Sequence, residues 1–293
     1  MNRPLFGLNV STSAASDPVA EARTAEKLGF DFVSANDHPC GTSPTREVWT
    51  MLTWIAAATS RIMVATRVLG VPYRPPAVVA KMSETLARLS GGRLILGLGG
   101  GASDEELRAF GLPVPSPRQK IDGLEDAIHI LHGLWSEPAF SFDGPRYAVR
   151  RATMEPKPPN RIPVWVGTYG PRGLALAGRL ADGWIPTLEL ALPDRARAMR
   201  DQIVSAASDA GRDPGEITCC YNLEISLGGK RDPRPQVVSG SPDEVIERLL
   251  DFVALGFDAM NFILVGPDHD EQRERLAHEV IPVLRGGGGV VSR

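Results

Sequence analysis

The feature that most constrains the fold is a regular alternation of apolar, strand-like segments with amphipathic, helix-like segments along all 293 residues. Eight strands are predicted, each rich in Val, Ile or Leu, and no long linker separates them. Continuously apolar strands separated by helices are typical of a parallel sheet covered by helices on its outside. The predicted strands are 5–10, 30–37, 61–70, 93–99, 162–169, 183–187, 217–226 and 259–266.

Eight such units in a chain of this length predict a (β/α)8 TIM barrel with insertions at its C-terminal face. We expect one domain over residues 1–293, with an open doubly wound sheet as the alternative. Residue types that begin or end helices set the boundaries, such as Asp17, Gly91 and Ser116. Residues 136–161 are rich in Pro and Arg and are predicted to be an irregular surface excursion. The predicted helices are 17–28, 46–59, one begun by Pro75 and ending near 90–92, 116–135, 171–181, 193–210, 242–255 and 270–285.

The run GLGGGA at 97–102 resembles a dinucleotide fingerprint, since Gly97, Gly99 and Ala102 fit the pattern G-x-G-x-x-G/A. In a doubly wound fold that pattern follows the first strand. Here it follows the fourth strand. Its position therefore favours the rim of a barrel over a dinucleotide-binding turn.

Charge and cysteine content restrict the partners. The net charge is -3 and no basic block occurs, which argues against nucleic acid or an anionic membrane and favours a small-molecule ligand. The cysteines are Cys40, Cys219 and Cys220, and an adjacent pair cannot form an ordinary disulfide, so a reducing cytoplasm is expected. Neither a signal peptide nor a membrane-spanning helix is expected from the apolar runs.

In such a barrel the chemistry lies where strands end and helices begin. No lysine stands at a predicted strand end, which argues against Schiff-base chemistry, and no cluster of His and carboxylates predicts a metal site. Asp37 and His38 follow the second strand, where a carboxylate beside an imidazole can orient a proton-transfer group. A structural histidine bonded to backbone is the alternative. The sparse set of reactive groups indicates that a cofactor supplies the chemistry.

A second candidate site follows the fifth strand. Backbone amides at a glycine-rich helix start can bind an anion, which the helix dipole favours, and an arginine can add charge. A tight turn that needs glycine only for its geometry is the alternative. The residues are Gly167, Thr168, Gly170, Pro171 and Arg172.

Several segments, in order along nearly the whole chain, resemble the bacterial luciferase-like oxidoreductases. The resemblance implies a barrel that binds flavin mononucleotide (FMN) or the deazaflavin coenzyme F420 at its C-terminal mouth, and it suggests a homodimer. The segments are NDHP at 36–39, 74–101, 118–135, VGTYGPRGLALAGRLADGW at 166–184 and 240–262.

The resemblance also assigns roles to individual residues. It implies a non-proline cis peptide at Arg67-Val68 behind the cofactor ring, with Asp37 and His38 near the reactive face of that ring. Three glycines are expected to leave room for the ring or its side chain, and a cradle after the fifth strand is expected to bind the phosphate. Asn9 and Thr66, which stand at predicted strand ends, complete the expected cofactor contacts. The three glycines are Gly97, Gly99 and Gly100, and the cradle is Gly167, Thr168, Gly170, Pro171 and Arg172.

The run GPRGLALAGRLADGW, at 170–184, looks more like the F420 branch, and the Arg-rich composition agrees. We therefore expect a hydride-transferring oxidoreductase that uses F420. The alternatives are an FMN-dependent monooxygenase served by a separate reductase and a barrel that binds a cofactor without catalysis. Ala102 stands where F420-dependent glucose-6-phosphate dehydrogenases have an acid, which disfavours a sugar phosphate. The loops at 136–161 and 228–240 are expected to shape the substrate pocket.

Overall fold

The computed structural model describes residues 3–228 and 231–286. Eight parallel strands form a closed ring, in the order β10-β12-β1-β2-β3-β5-β8-β9 and back to β10. This is the predicted (β/α)8 barrel, and the open doubly wound sheet is excluded. The strands are β1 (Leu5–Asn9), β2 (Phe32–Ala35), β3 (Met63–Thr66), β4 (Leu69–Gly70), β5 (Leu94–Gly99), β6 (Phe140–Asp143), β7 (Ala148–Ala152), β8 (Val164–Gly167), β9 (Gly183–Trp184), β10 (Thr218–Leu227), β11 (Val237–Gly240) and β12 (Ala259–Leu264).

The helices pack around this ring. Asp17 accepts hydrogen bonds from the first turn of its helix, Ser116 forms a capping box, and Gly91 ends a helix in the left-handed conformation, as the sequence predicts. The helices are α1 (Pro18–Leu28), α2 (Val48–Ala58), α3 (Pro76–Ser90), α4 (Asp104–Ala109), α5 (Pro117–Ser136), α6 (Pro171–Leu180), α7 (Pro193–Asp209), α8 (Pro242–Ala254), α9 (His269–Arg275) and α10 (Ile281–Leu284).

Three sequence predictions need correction. Residues 136–161 are not irregular throughout, because β6 and β7 form an antiparallel hairpin that packs on α5. Residues 228–240 are not entirely loop, since β11 pairs in parallel with the end of β10. The last helix is interrupted by a π-helical turn at residues 276–280. The short helix α4 was not predicted.

The barrel interior is closed below by an apolar floor. A cluster separate from the main core takes one residue from each of seven barrel strands or the turn after them, which places it inside the ring. Two large rings in it, Phe32 and Trp165, meet edge to face with centroids 5.8 Å apart. Gly7 and Gly183 make room for them, because a Cβ there would lie 2.1 Å and 2.4 Å from those rings.

Above the floor the interior becomes polar. Side chains two residues apart on a strand share a face, so Ser34, Asn222 and Asn261 lie one step nearer the carboxyl ends than the floor residues. Ser34 Oγ donates to Asn261 Oδ1 at 2.8 Å, and Asn261 Nδ2 donates to Asn222 Oδ1 at 3.0 Å. The barrel is therefore packed with apolar groups at one end and lined by hydrogen-bonding groups toward the other. No helix within residues 3–228 and 231–286 has the length and apolar character needed to cross a membrane.

Candidate active site

His38 lies just beyond β2 and is held by a carboxylate from another element. Its Nδ1 is 2.9 Å from Oε1 of Glu106 in α4, and Oε2 of Glu106 accepts a hydrogen bond from the Tyr73 hydroxyl at 2.8 Å. Glu106 is 15% exposed and His38 is 49% exposed. Burial and the contact with Glu106 raise the pKa of Tyr73, so this phenol stays a donor. With Nδ1 bound to Glu106, Nε2 has no partner among the described residues and is the nitrogen left to exchange a proton.

The expected pairing of Asp37 with His38 is wrong. The two side chains have different partners, Glu106 for His38 and Arg74 for Asp37. The buried Asp37 carboxylate accepts from the Gly70 amide at 3.0 Å and from two nitrogens of Arg74 at 2.8 Å and 3.2 Å. Asp37 therefore fastens the segment after β3 to β2, and Glu106 is the carboxylate that faces the imidazole.

Between β3 and β4 the chain forms a bulge with a cis peptide at Arg67-Val68, at the predicted position. The Val68 side chain fills a space that three glycines leave. A Cβ on Gly97, Gly99 or Gly167 would lie 3.1 Å, 2.7 Å and 3.2 Å from a Val68 methyl carbon, respectively. A Cβ on Gly97 would also lie 2.0 Å from the Thr66 carbonyl oxygen.

Gly97 and Gly99 were expected to leave space for the cofactor ring or its side chain. In the structure the space beside them is occupied by the Val68 side chain. Thr66 reinforces this packing, since its hydroxyl donates to the Gly97 carbonyl at 2.7 Å. Gly100 lies against α5, where an added Cβ would be 3.0 Å from Cβ of Lys120.

The segment after β8 forms a compact turn. Thr168 is buried, and its carbonyl accepts a hydrogen bond from Trp184 Nε1 at 2.9 Å. Gly170 precedes α6, and no side chain caps that helix among the described residues. Pro171 takes the first helical position as predicted. Arg172 is not a free charge, because it donates to Asp122 at 2.7 Å.

Three further residues at the mouth escaped the sequence analysis: Glu106, Tyr73 and Arg74. Ser103 and Glu106 have the spacing of a capping box, and Ser103 does accept from the Glu106 amide at 3.2 Å. The Glu106 carboxylate contacts His38 instead of completing the capping box. Asp104, two residues beyond Ala102, pairs with Lys120 at 2.7 Å. In the described part of the chain, no three His, Cys, Asp or Glu side chains lie close enough to hold a metal.

Comparison with known proteins agrees with this architecture. A family model described as luciferase-like monooxygenase matches residues 5–234. The chain belongs to this luciferase-like family. A relative in Beutenbergia cavernae, named F420-dependent glucose-6-phosphate dehydrogenase, is 30% identical, with 93% of this chain and 94% of the relative covered. A relative of the same name in Nakamurella multipartita is 27% identical, with 90% and 91% covered.

Two solved structures share the barrel. An F420-dependent secondary alcohol dehydrogenase, solved with an F420-acetone adduct, superposes with a TM-score of 0.86 at 20% identity over 97% of this chain and 99% of that one. The coenzyme F420-dependent tetrahydromethanopterin reductase of Methanopyrus kandleri gives 0.85 at 20% identity over 97% and 100%. At this identity the likeness shows a common fold.

Proposed function

We propose that this protein is an F420-dependent oxidoreductase that transfers a hydride between coenzyme F420 and a small organic substrate. The observation that carries the proposal is the near full-length relationship, at up to 30% identity among the relatives above, to enzymes named for F420. The His38 and Glu106 pair at the carboxyl ends of the strands supports it.

The residues after β8 fit a phosphate-bearing cofactor. Gly170 has open space where a Cβ would stand, and α6 has no side-chain cap among the described residues to compete for its first-turn amides. Amides at a helix start favour an anion. We propose that Thr168, Gly170 and the amides of Arg172 and Gly173 hold the phosphate, and that Val68 supports the ring. F420, when bound, supplies the hydride donor or acceptor.

Within this proposal His38 handles the proton that accompanies the hydride. An alcohol that loses a hydride must also lose its hydroxyl proton, and Nε2 of His38 is the basic atom left free by Glu106. Glu106 fixes the orientation of the imidazole. This carboxylate comes from α4 rather than from position 102, so we propose a substrate other than a sugar phosphate.

The test is a fluorescence titration of the purified protein with F420 and, separately, with FMN. We expect tight F420 binding and weak FMN binding. Tight FMN binding without F420 binding would instead support the monooxygenase, which oxygen uptake with reduced FMN would then verify. Turnover should next be measured with secondary alcohols and with glucose 6-phosphate, where efficient use of the latter would overturn the proposed substrate class.

We further propose a cytoplasmic homodimer, on the family resemblance and the cysteine content. Light scattering of the purified protein measures the assembly directly. A mass of one 31.5 kDa chain would contradict the dimer.

A further inference from the structure

Arg67 places a positive charge inside the barrel. It lies two residues beyond Ala65, a member of the interior floor cluster, and its Nε donates to Oδ1 of Asn9 on β1 at 3.1 Å. Asn9 is oriented for this contact, because its Nδ2 donates to the Val10 carbonyl at 3.3 Å. Neither Nη nitrogen of Arg67 has a protein partner within residues 3–228 and 231–286.

No carboxylate in that part of the chain balances this charge. Asp37 is paired with Arg74, and Glu224 with Arg234. The titratable side chains that influence Arg67 are a phenol and a thiol, Tyr169 and Cys220. Burial lowers the pKa of Arg67 to about 10, which still leaves the guanidinium protonated at neutral pH.

We propose that the Arg67 guanidinium is an anion-binding group for one delocalised negative charge on a ligand in the barrel mouth. A guanidinium whose Nε is engaged still offers N–H donors in a plane, which match the oxygen atoms of a carboxylate or a conjugated oxyanion. A partly desolvated cation without a counter-ion is unfavourable, and a bound anion removes that penalty.

Two ligands can carry this charge: the coenzyme ring after reduction, and a substrate carboxylate. The inference goes beyond hydride transfer and rests on the proposed function only for the coenzyme used as a probe. Its test compares wild type with Arg67→Gln and Arg67→Met, which remove the charge, and with Arg67→Lys, which retains it. Arg150→Met is the control, because Arg150 is 80% exposed on the β6-β7 hairpin. Unfolding temperatures verify that each variant is folded.

The first measurement is the ratio of the dissociation constants of reduced and oxidised F420. If the reduced ring brings the charge, Arg67→Met weakens binding of the reduced form at least tenfold relative to the oxidised form, while Arg67→Lys and Arg150→Met change the ratio little. A tenfold change lowers the midpoint potential of bound F420 by about 30 mV, which spectroelectrochemistry measures.

The second measurement is calorimetric titration with benzoate, with and without oxidised F420. If the substrate brings the charge, benzoate binds wild type and binding falls at least tenfold in Arg67→Met and Arg67→Gln. The inference is overturned if loss of charge changes neither the F420 ratio nor benzoate affinity. If wild type binds no F420, the proposed coenzyme is wrong, and benzoate titration of the protein alone decides the role of Arg67.

Discussion

An alanine at position 99 would place its Cβ 2.7 Å from a Val68 methyl carbon, so the side chains would overlap. We expect Gly99→Ala to lower the free energy of unfolding by about 1–3 kcal/mol, the usual range for overpacking. Val68→Ala in the same chain should recover part of this loss. Urea denaturation of the double-mutant cycle measures the coupling.

Gly170→Ala is the matched control, because no atom of the described residues lies within 4 Å of its added Cβ. We expect little change in unfolding free energy there. Additive effects of Gly99→Ala and Val68→Ala would show that the glycine is not required by that side chain.

His38 and Glu106 differ in what their loss removes. His38→Ala deletes the proposed proton-transfer group and should lower kcat about a hundredfold or more. Glu106→Gln keeps the imidazole and removes the facing charge, so kcat should fall less, with KM nearly unchanged. Steady-state kinetics with F420 measures both, and the exposed Glu105→Gln is the control. A change confined to KM would assign the pair to substrate binding.

At the scale of single elements, β10 carries two buried thiols. Burial raises the pKa of Cys219 to about 12 and that of Cys220 well above its ordinary value. Because the thiolate is the reactive form, we expect iodoacetamide at pH 8 to label Cys40 alone in the native protein and all three cysteines in urea. Intact mass measures the number of labels. A Cys40→Ser variant labelled in its native state would contradict the buried assignment.

The helix α3 fastens the segment after the β6-β7 hairpin. Glu84 is buried and bonds Lys81 and Arg88, which in turn donate to the carbonyls of Glu155 and Lys157. Burial alone would raise the pKa of Glu84, but these two cationic donors outweigh it and lower the pKa below 4.5. The carboxylate thus contributes stability above that value and loses it as pH falls through the lower folded pKa.

Glu84→Gln should therefore destabilise the protein by about 1–3 kcal/mol at pH 7, since both cations are partly exposed and water compensates for some of the loss. The difference in unfolding free energy between wild type and this variant should decrease as pH falls below 4.5. Urea unfolding at both pH values measures this. If the difference in unfolding free energy between wild type and Glu84→Gln stayed constant with pH, the charge of Glu84 would not be its cause. The exposed Glu274→Gln variant is the control and should show no such difference.

For the whole molecule, we expect F420 to shift the unfolding equilibrium. A ligand present at a hundred times its Kd stabilises the native state by about 2.7 kcal/mol if it does not bind the unfolded chain. Differential scanning fluorimetry should therefore show a rise in unfolding temperature that increases with F420 concentration. An equal rise in unfolding temperature with FMN would contradict the expected preference for F420.

The barrel was predictable from sequence because each strand and helix carries its own local pattern. The contact between His38 and Glu106 was not, since it joins residues 68 positions apart whose spacing has no local meaning. Similarly, Gly97 and Gly99 predict a close approach without naming the group that approaches. The cis bond at Arg67-Val68 came from family resemblance alone. Secondary structure can thus be predicted from the sequence, whereas the contacts of a side chain depend on how the barrel closes.

Phe32 and Trp165 belong to the apolar floor that fills one end of the barrel, so among the described residues the polar interior faces the carboxyl ends of the strands. When two ligands reach a site by the same route, the one that binds deeper must bind first and dissociate last. A ligand bound against Val68 would therefore remain bound while a second ligand, nearer the carboxyl ends of the strands, binds and dissociates. For two ligands bound one above the other, the order of binding and release would follow from this closed floor, which Gly7 and Gly183 allow by accommodating the two rings.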